Sequence, residues 1–145
     1  MKKLYYLPLL LAFIMCSSPK FEYNKSSYPI DTSTIKFLNT LKAKDSIYSA
    51  LFFTDGFLSN EIIEVKNGNE IIFSDTLVTD RVLGLAEIIR VKNQQEILIT
   101  DLKSKYSFKL PPKKNSKYKF IYISKDAEST KDYNIIYSNT LRGFY

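Results

Sequence analysis

Cys16 is the only thiol in this chain of 145 residues, which has no histidine. That composition excludes a Cys/His zinc site, a Cys-His nucleophile pair and a Ser-His-Asp system. Chemistry must come from carboxylates, lysines, tyrosines or hydroxyls, or from modification of Cys16 itself. Asp55, Glu61 and Glu64 lie close together, and Asp75 and Asp80 flank a later segment, but such spacings fit loops and strand edges. A general acid and base pair needs a cleft that separates the proton affinities of its members. Asp55-Gly56 lacks the dense alternating oxygen ligands of a calcium loop. No catalytic residue, metal site or cofactor is expected, and a carboxylate-dependent envelope enzyme is the lesser alternative.

Lysine supplies the clearest chemical bias. Lys103, Lys105, Lys109, Lys113, Lys114, Lys117 and Lys119 fall within residues 103–119, a stretch without a single acid. The two-residue repeat of a strand puts Lys103, Lys105 and Lys109 on one face, with Lys113 and Lys114 in the turn that follows. From Lys105 to Lys119 these side chains are candidate contacts for phosphate or carboxylate groups. The competing role is a solvated edge that resists aggregation, since lysine is a flexible point charge with no arginine fork or phosphate loop beside it.

Tyrosine supplies the second bias. Tyr118, Phe120 and Tyr122 share one strand face, and Tyr133, Tyr137, Phe144 and Tyr145 follow. Such rings stack on sugars or anchor a protein partner, and they also fill cores. Tyr118, Tyr122, Tyr133, Tyr137, Phe144 and Tyr145 are the candidate aromatic contacts.

Ahead of Cys16 stand Lys2-Lys3 and then about a dozen mostly apolar residues, too few for an ordinary bilayer-spanning helix. With Phe13-Ile14-Met15-Cys16 at its end, this leader resembles that of bacterial lipoprotein precursors. The resemblance covers the leader alone, and it implies removal of residues 1–15 and a covalent lipid on Cys16 as the first mature residue. Diacylation plus an amide-linked chain anchors stably, whereas one chain is marginal. The implied address is the periplasmic face of the outer membrane or the cell surface. A conventional signal peptide that happens to contain a cysteine is the alternative.

Residues 16–34 then form a lipidated cysteine and polar tether, with Phe21, Tyr23 and Tyr28 able to dock part of it. Residues 35–145 are expected to make one domain. Removal of the leader takes the formal charge from +6 to about +4, which fits an anionic envelope and predicts no nucleic-acid role. Without a second thiol the domain must fold without an internal disulfide.

The body reads mainly as short strands. Residues 46–54 are one; residues 61–65 and 70–73 flank Asn67-Gly68, a pair suited to a hairpin turn. Residues 87–92 and 96–100 are expected to pair across Asn93-Gln94-Gln95, because Ile89, Val91, Ile97 and Ile99 share a buried face. Tyr106, Phe108 and Leu110 continue the alternation until Pro111-Pro112 end it. Residues 117–123 and 133–138 form a last pair. Residues 34–44 suit a helix, with Ser33 or Thr34 as cap, as well as a strand. Seven or eight strands predict a single antiparallel β-sandwich of immunoglobulin-like architecture, with a small barrel as the alternative.

Together these features suggest a membrane-tethered envelope accessory or binding module for a protein or an anionic glycan. A periplasmic inhibitor or immunity lipoprotein is the second reading.

Overall fold

The run YSALFF at 48–53 is apolar at nearly every position, the pattern of a strand covered on both faces. A computed structural model of the protein describes residues 18–24 and 30–144, so the leader, Cys16 and Tyr145 lie outside the described residues. The elements are β1 (Lys20–Tyr23), α1 (Thr32–Thr40), β2 (Tyr48–Phe53), β3 (Glu61–Asn67), β4 (Glu70–Leu77), β5 (Glu87–Lys92), β6 (Ile97–Asp101), β7 (Tyr106–Leu110), α2 (Pro112–Asn115), β8 (Phe120–Lys125) and β9 (Tyr133–Ser138). They form a five-stranded sheet in the order β1-β9-β8-β2-β5 and a four-stranded sheet in the order β4-β3-β6-β7.

Leu51, Phe53, Ile121, Ile123, Ile135 and Tyr137 of the first sheet meet Ile63, Val65, Ile97, Ile99, Phe108 and Leu110 of the second, which makes the body a two-sheet sandwich. Among the described strands no hydrogen-bonded pair joins the two sheets, so the barrel alternative fails. The described residues form nine strands rather than seven or eight, and the five-stranded sheet is mixed rather than antiparallel. In it β1 runs parallel to β9 and β2 parallel to β8.

Asn67-Gly68 does close the β3–β4 hairpin, with Gly68 at φ +63°. The expected pairing of 87–92 with 96–100 is corrected. β5 pairs with β2, whereas β6 pairs with β3 and β7, so residues 93–96 carry the chain from one sheet to the other. Asn93 holds that corner: its Nδ2 donates to Ser46 O at 2.8 Å and to Ser49 Oγ at 3.1 Å. Val91, Ile97 and Ile99 still share a core, but across the sandwich rather than along one sheet. Residues 34–44 resolve in favour of a helix, whose cap is Asp31 rather than Ser33 or Thr34; Asp31 Oδ1 accepts from Thr34 N–H at 2.7 Å. Part of the segment read as tether is β1, an edge strand.

The outer face of the five-stranded sheet is also covered. Ala50, Phe52, Phe120 and Tyr122 pack beneath Leu38 and Phe37 of α1 and beneath Leu141 and Phe144 of the C-terminal tail. Registers then fix two ends of the sandwich. At one end lie the start of β1, the ends of β2 and β8, the loop 78–86 and the turn after β6. At the other lie the β3–β4 turn, the 93–96 corner, α2 and the start of β8.

Gly56, at φ +95°, sits where a Cβ would fall on the Lys125 carbonyl oxygen, whereas a Cβ on Gly84 would meet only the side chain of Asp55 at 2.9 Å. Gly56→Ala is expected to destabilise the domain by more than about 3 kcal/mol, because backbone must move, and Gly84→Ala by about 1–2 kcal/mol. Thermal unfolding of the two variants checks the order; equal losses would contradict it.

Candidate functional site

The lysine run does not form one face. Lys103 and Lys105 lie in and beside the turn after β6, and Lys105 takes a left-handed conformation there at φ +57°. Lys109 pairs with Glu96 at 3.0 Å. Lys119 turns inward, and its Nζ donates to the carbonyls of Lys44, Asp45 and Tyr48 at 3.1, 2.7 and 2.9 Å. Desolvation there lowers its pKa, with the Asp45 charge opposing. This lysine clamps the loop before β2 and is spent structurally. Lys113, Lys114 and Lys117 stay exposed together around α2, where Lys114 Nζ stands 4.6 Å above the Tyr23 ring.

The rings divide in the same way. Tyr122, Tyr133 and Tyr137 are buried, which removes them from an exposed contact row. Tyr122 stacks on Phe52 at 4.8 Å, and Phe144 stacks on Phe52 at 5.5 Å to close the outer layer. Tyr137 donates to Asn115 Oδ1 at 2.9 Å and so locks α2 against β9. Tyr118 is half-buried, packing at 5.4 Å against Tyr137, which also stacks with Tyr23 at 5.4 Å. The aromatic surface that remains near the lysines is therefore Tyr118 and Tyr23, and the sequence did not assign Tyr23 to it.

Three of the sequence-named residues meet at one place. Lys117, Tyr118 and Lys119 line a shallow cavity of about 180 Å³ with Ser46, Asn93, Ser116 and Asn139. Asn139 braces its rim, its Oδ1 accepting from Lys119 N–H at 2.9 Å. Asn93 is 2% exposed and its Oδ1 has no hydrogen-bond partner. That oxygen is closed off from solvent, so it belongs to the interior of the corner and is not an acceptor open to the cavity. Asn93 reads in the sequence only as a turn residue. Its role depends on Ser46 and Ser49, far away along the chain, and no local pattern signals it.

The opposite end holds a larger cleft of about 330 Å³ lined by Ser59, Glu61, Asp101, Lys103, Ser104, Lys125 and residues 127–130. Its floor is an ion pair between the sheets: Lys125 Nζ to Glu61 Oε1 at 2.7 Å, with side chains 5% and 4% exposed. Asp101 Oδ1 accepts from Lys103 and Ser104 N–H at 2.9 and 3.2 Å. Glu61 and Asp101 thus serve the fold: one is neutralised by a cation, and the other caps a turn. Ser104 Oγ and Tyr133 Oη lie buried nearby without partners. Tyr133 is near enough to Asp101 for that charge to add to the desolvation that raises its pKa, but no hydrogen bond of sound geometry joins them. A third hollow, between Tyr48, Asn67, Glu70 and Arg90, carries both signs of charge.

No protein-family model matches this chain, and no curated protein is similar to it in sequence. Among the described residues no group of three or more carboxylates could hold a metal ion, and no helix is long and apolar enough to cross a membrane.

Burial pushes the Tyr122 phenol up to about 12 from its ordinary 10.0, and burial raises Tyr133 and Tyr137 as well. The unfolded chain therefore releases these protons first, so stability present below pH 10 is lost as pH rises toward 12. Tyr122→Phe should flatten part of that fall, by on the order of 2–3 kcal/mol across the window. Thermal unfolding at stepped pH measures it, and a pH dependence unchanged by the substitution would contradict the assignment.

Proposed function

We propose that the protein is an exported, lipid-anchored envelope module that binds an anionic glycan through the end carrying Lys113, Lys114 and Lys117. The observation that carries this reading is that these three lysines stay exposed together around α2, beside a shallow cavity lined by Lys117 and the half-exposed Tyr118. Recognition of an anionic sugar uses a flat apolar ring and cations for phosphate or carboxylate, and Tyr118 and the lysines supply both. The two-sheet body serves here, as in immunoglobulin-like sandwiches, as a rigid frame that presents loops at its ends.

An anchor at Cys16 is compatible with this arrangement. The strand β1 starts at the far end of the sandwich from α2, about 20 Å away for strands of this length. A lipid on Cys16, four residues before Lys20, would hold the near end at the membrane and leave the lysines facing outward. The natural address is the periplasmic face of the outer membrane or the cell surface.

The membrane-extracted full-length protein should bind isolated cell-wall or lipopolysaccharide fractions, more weakly as salt rises. Neutralising Lys113, Lys114 and Lys117 to glutamine together should lower affinity at least about tenfold, since each phosphate contact contributes roughly 0.5–1 kcal/mol at an exposed site. Salt sensitivity alone is insufficient, because any basic surface attracts polyanions. Saturable capture of one protein, unchanged by the lysine substitutions and with no polymer retained, would overturn the glycan reading. That outcome would favour an inhibitor or immunity lipoprotein instead.

A further inference from the structure

The end of the sandwich from which β1 starts carries five exposed apolar side chains beside its polar cleft. Leu58, Val78, Val82, Leu83 and Leu102 are 45%, 53%, 80%, 44% and 44% exposed, and all sit in its loops and turns. They are held outward rather than left loose. Thr79, 6% exposed, pins the 78–86 loop: its Oγ1 donates to Thr54 O at 2.8 Å and accepts from Phe57 N–H at 3.0 Å. Asp80 Oδ1 accepts from the N–H groups of Val82 and Leu83 at 2.8 and 3.1 Å. Gly84 N–H donates to Asp80 O at 2.8 Å, with Gly84 at φ +64° completing the turn. A loop with this many internal bonds cannot fold Val82 back into the core, so the side chain is presented to whatever lies beyond the end.

We infer that this end is a membrane-contacting surface, with Val82 and Leu83 at its tip dipping into the interfacial layer of the bilayer. The inference rests on the anchor reading above and extends it from a tether to a docked orientation. What selects a bilayer as occupant is the chain itself. Only Ser17, Ser18 and Pro19 separate Cys16 from Lys20, the first residue of β1. Even fully extended, four residues span at most about 14 Å, so a lipidated Cys16 keeps this end against the headgroups. Water-exposed valine and leucine side chains there would lose apolar hydration on contact, at about 25 cal/mol per Å² buried. Arg81 precedes the tip and Asp80 caps it, while Lys103 and Glu128 line the cleft at the same end, so both signs of charge are present and contact is driven by apolar area.

The chain has no tryptophan, so one introduced residue is a unique emitter. Full-length Val82→Trp protein, extracted from membranes, is reconstituted into phosphatidylethanolamine and phosphatidylglycerol vesicles with brominated acyl chains. Ile71→Trp serves as the comparison, because Ile71 is 52% exposed and lies at the opposite end. Emission from position 82 should shift to the blue and be quenched severalfold more than emission from position 71. Equal, unquenched emission from both positions in a chain whose intact mass shows the lipid would overturn the docked orientation while the anchor stands. An intact mass without lipid on Cys16 would overturn the anchor, and the docked orientation with it.

Discussion

The five-stranded sheet must bury both of its faces, and the rest of the molecule is arranged to satisfy that requirement. Leu51 and Phe53 of β2 point into the sandwich while Ala50 and Phe52 point the other way, and β8 repeats the pattern with Ile121 and Ile123 against Phe120 and Tyr122. One four-stranded sheet can cover only the inner face. The outer face therefore recruits α1 and the C-terminal tail, which are remote in sequence. Phe52 is the hub of that layer, touching Phe37, Phe120, Tyr122 and Phe144. Its truncation would remove a contact from each of these elements at once, at a cost of about 3–5 kcal/mol.

The two sheets are tied at one end by the Glu61–Lys125 pair. Taking both charges out of water is costly, and the 2.7 Å contact offsets that cost only while both partners are present. Losing one would strand the other between the sheets, so the pair specifies how β3 faces β8 more than it adds net stability. Gly56 lies against the Lys125 backbone, and Lys125 N–H donates to Asp55 O at 3.0 Å. This corner consequently fixes the position of the loops around it, including the one that projects Val82.

Strand alternation, the Asn67-Gly68 turn and the Pro111-Pro112 stop were legible in the sequence because each is set by residues within a few positions. Pairing was not. Ile89 and Val91 share a core with Ile97 and Ile99 whether the two strands form a hairpin or face each other across a sandwich, so alternation cannot choose. The parallel β2–β8 and β1–β9 pairs join segments about 70 and 115 residues apart, and no local signal marks them. The candidate contacts failed for a related reason. Tyr122 and Lys119 look available in the sequence, but α1, the tail and the loop before β2 cover them, whereas Lys113 and Lys114 lie in the short helix α2 rather than a turn, Lys117 follows it, and all three stay exposed.

The resulting molecule has two unlike ends: one exposes Leu58, Val78, Val82, Leu83 and Leu102, and the other Lys113, Lys114 and Lys117. Photo-crosslinking in intact cells, with the reactive residue placed at position 117 or at position 82 of the full-length protein, tests this polarity directly. An anionic envelope polymer is expected as the adduct at position 117 and phospholipid at position 82. Polymer captured at position 82, or a single protein at position 117 with no polymer, would contradict it.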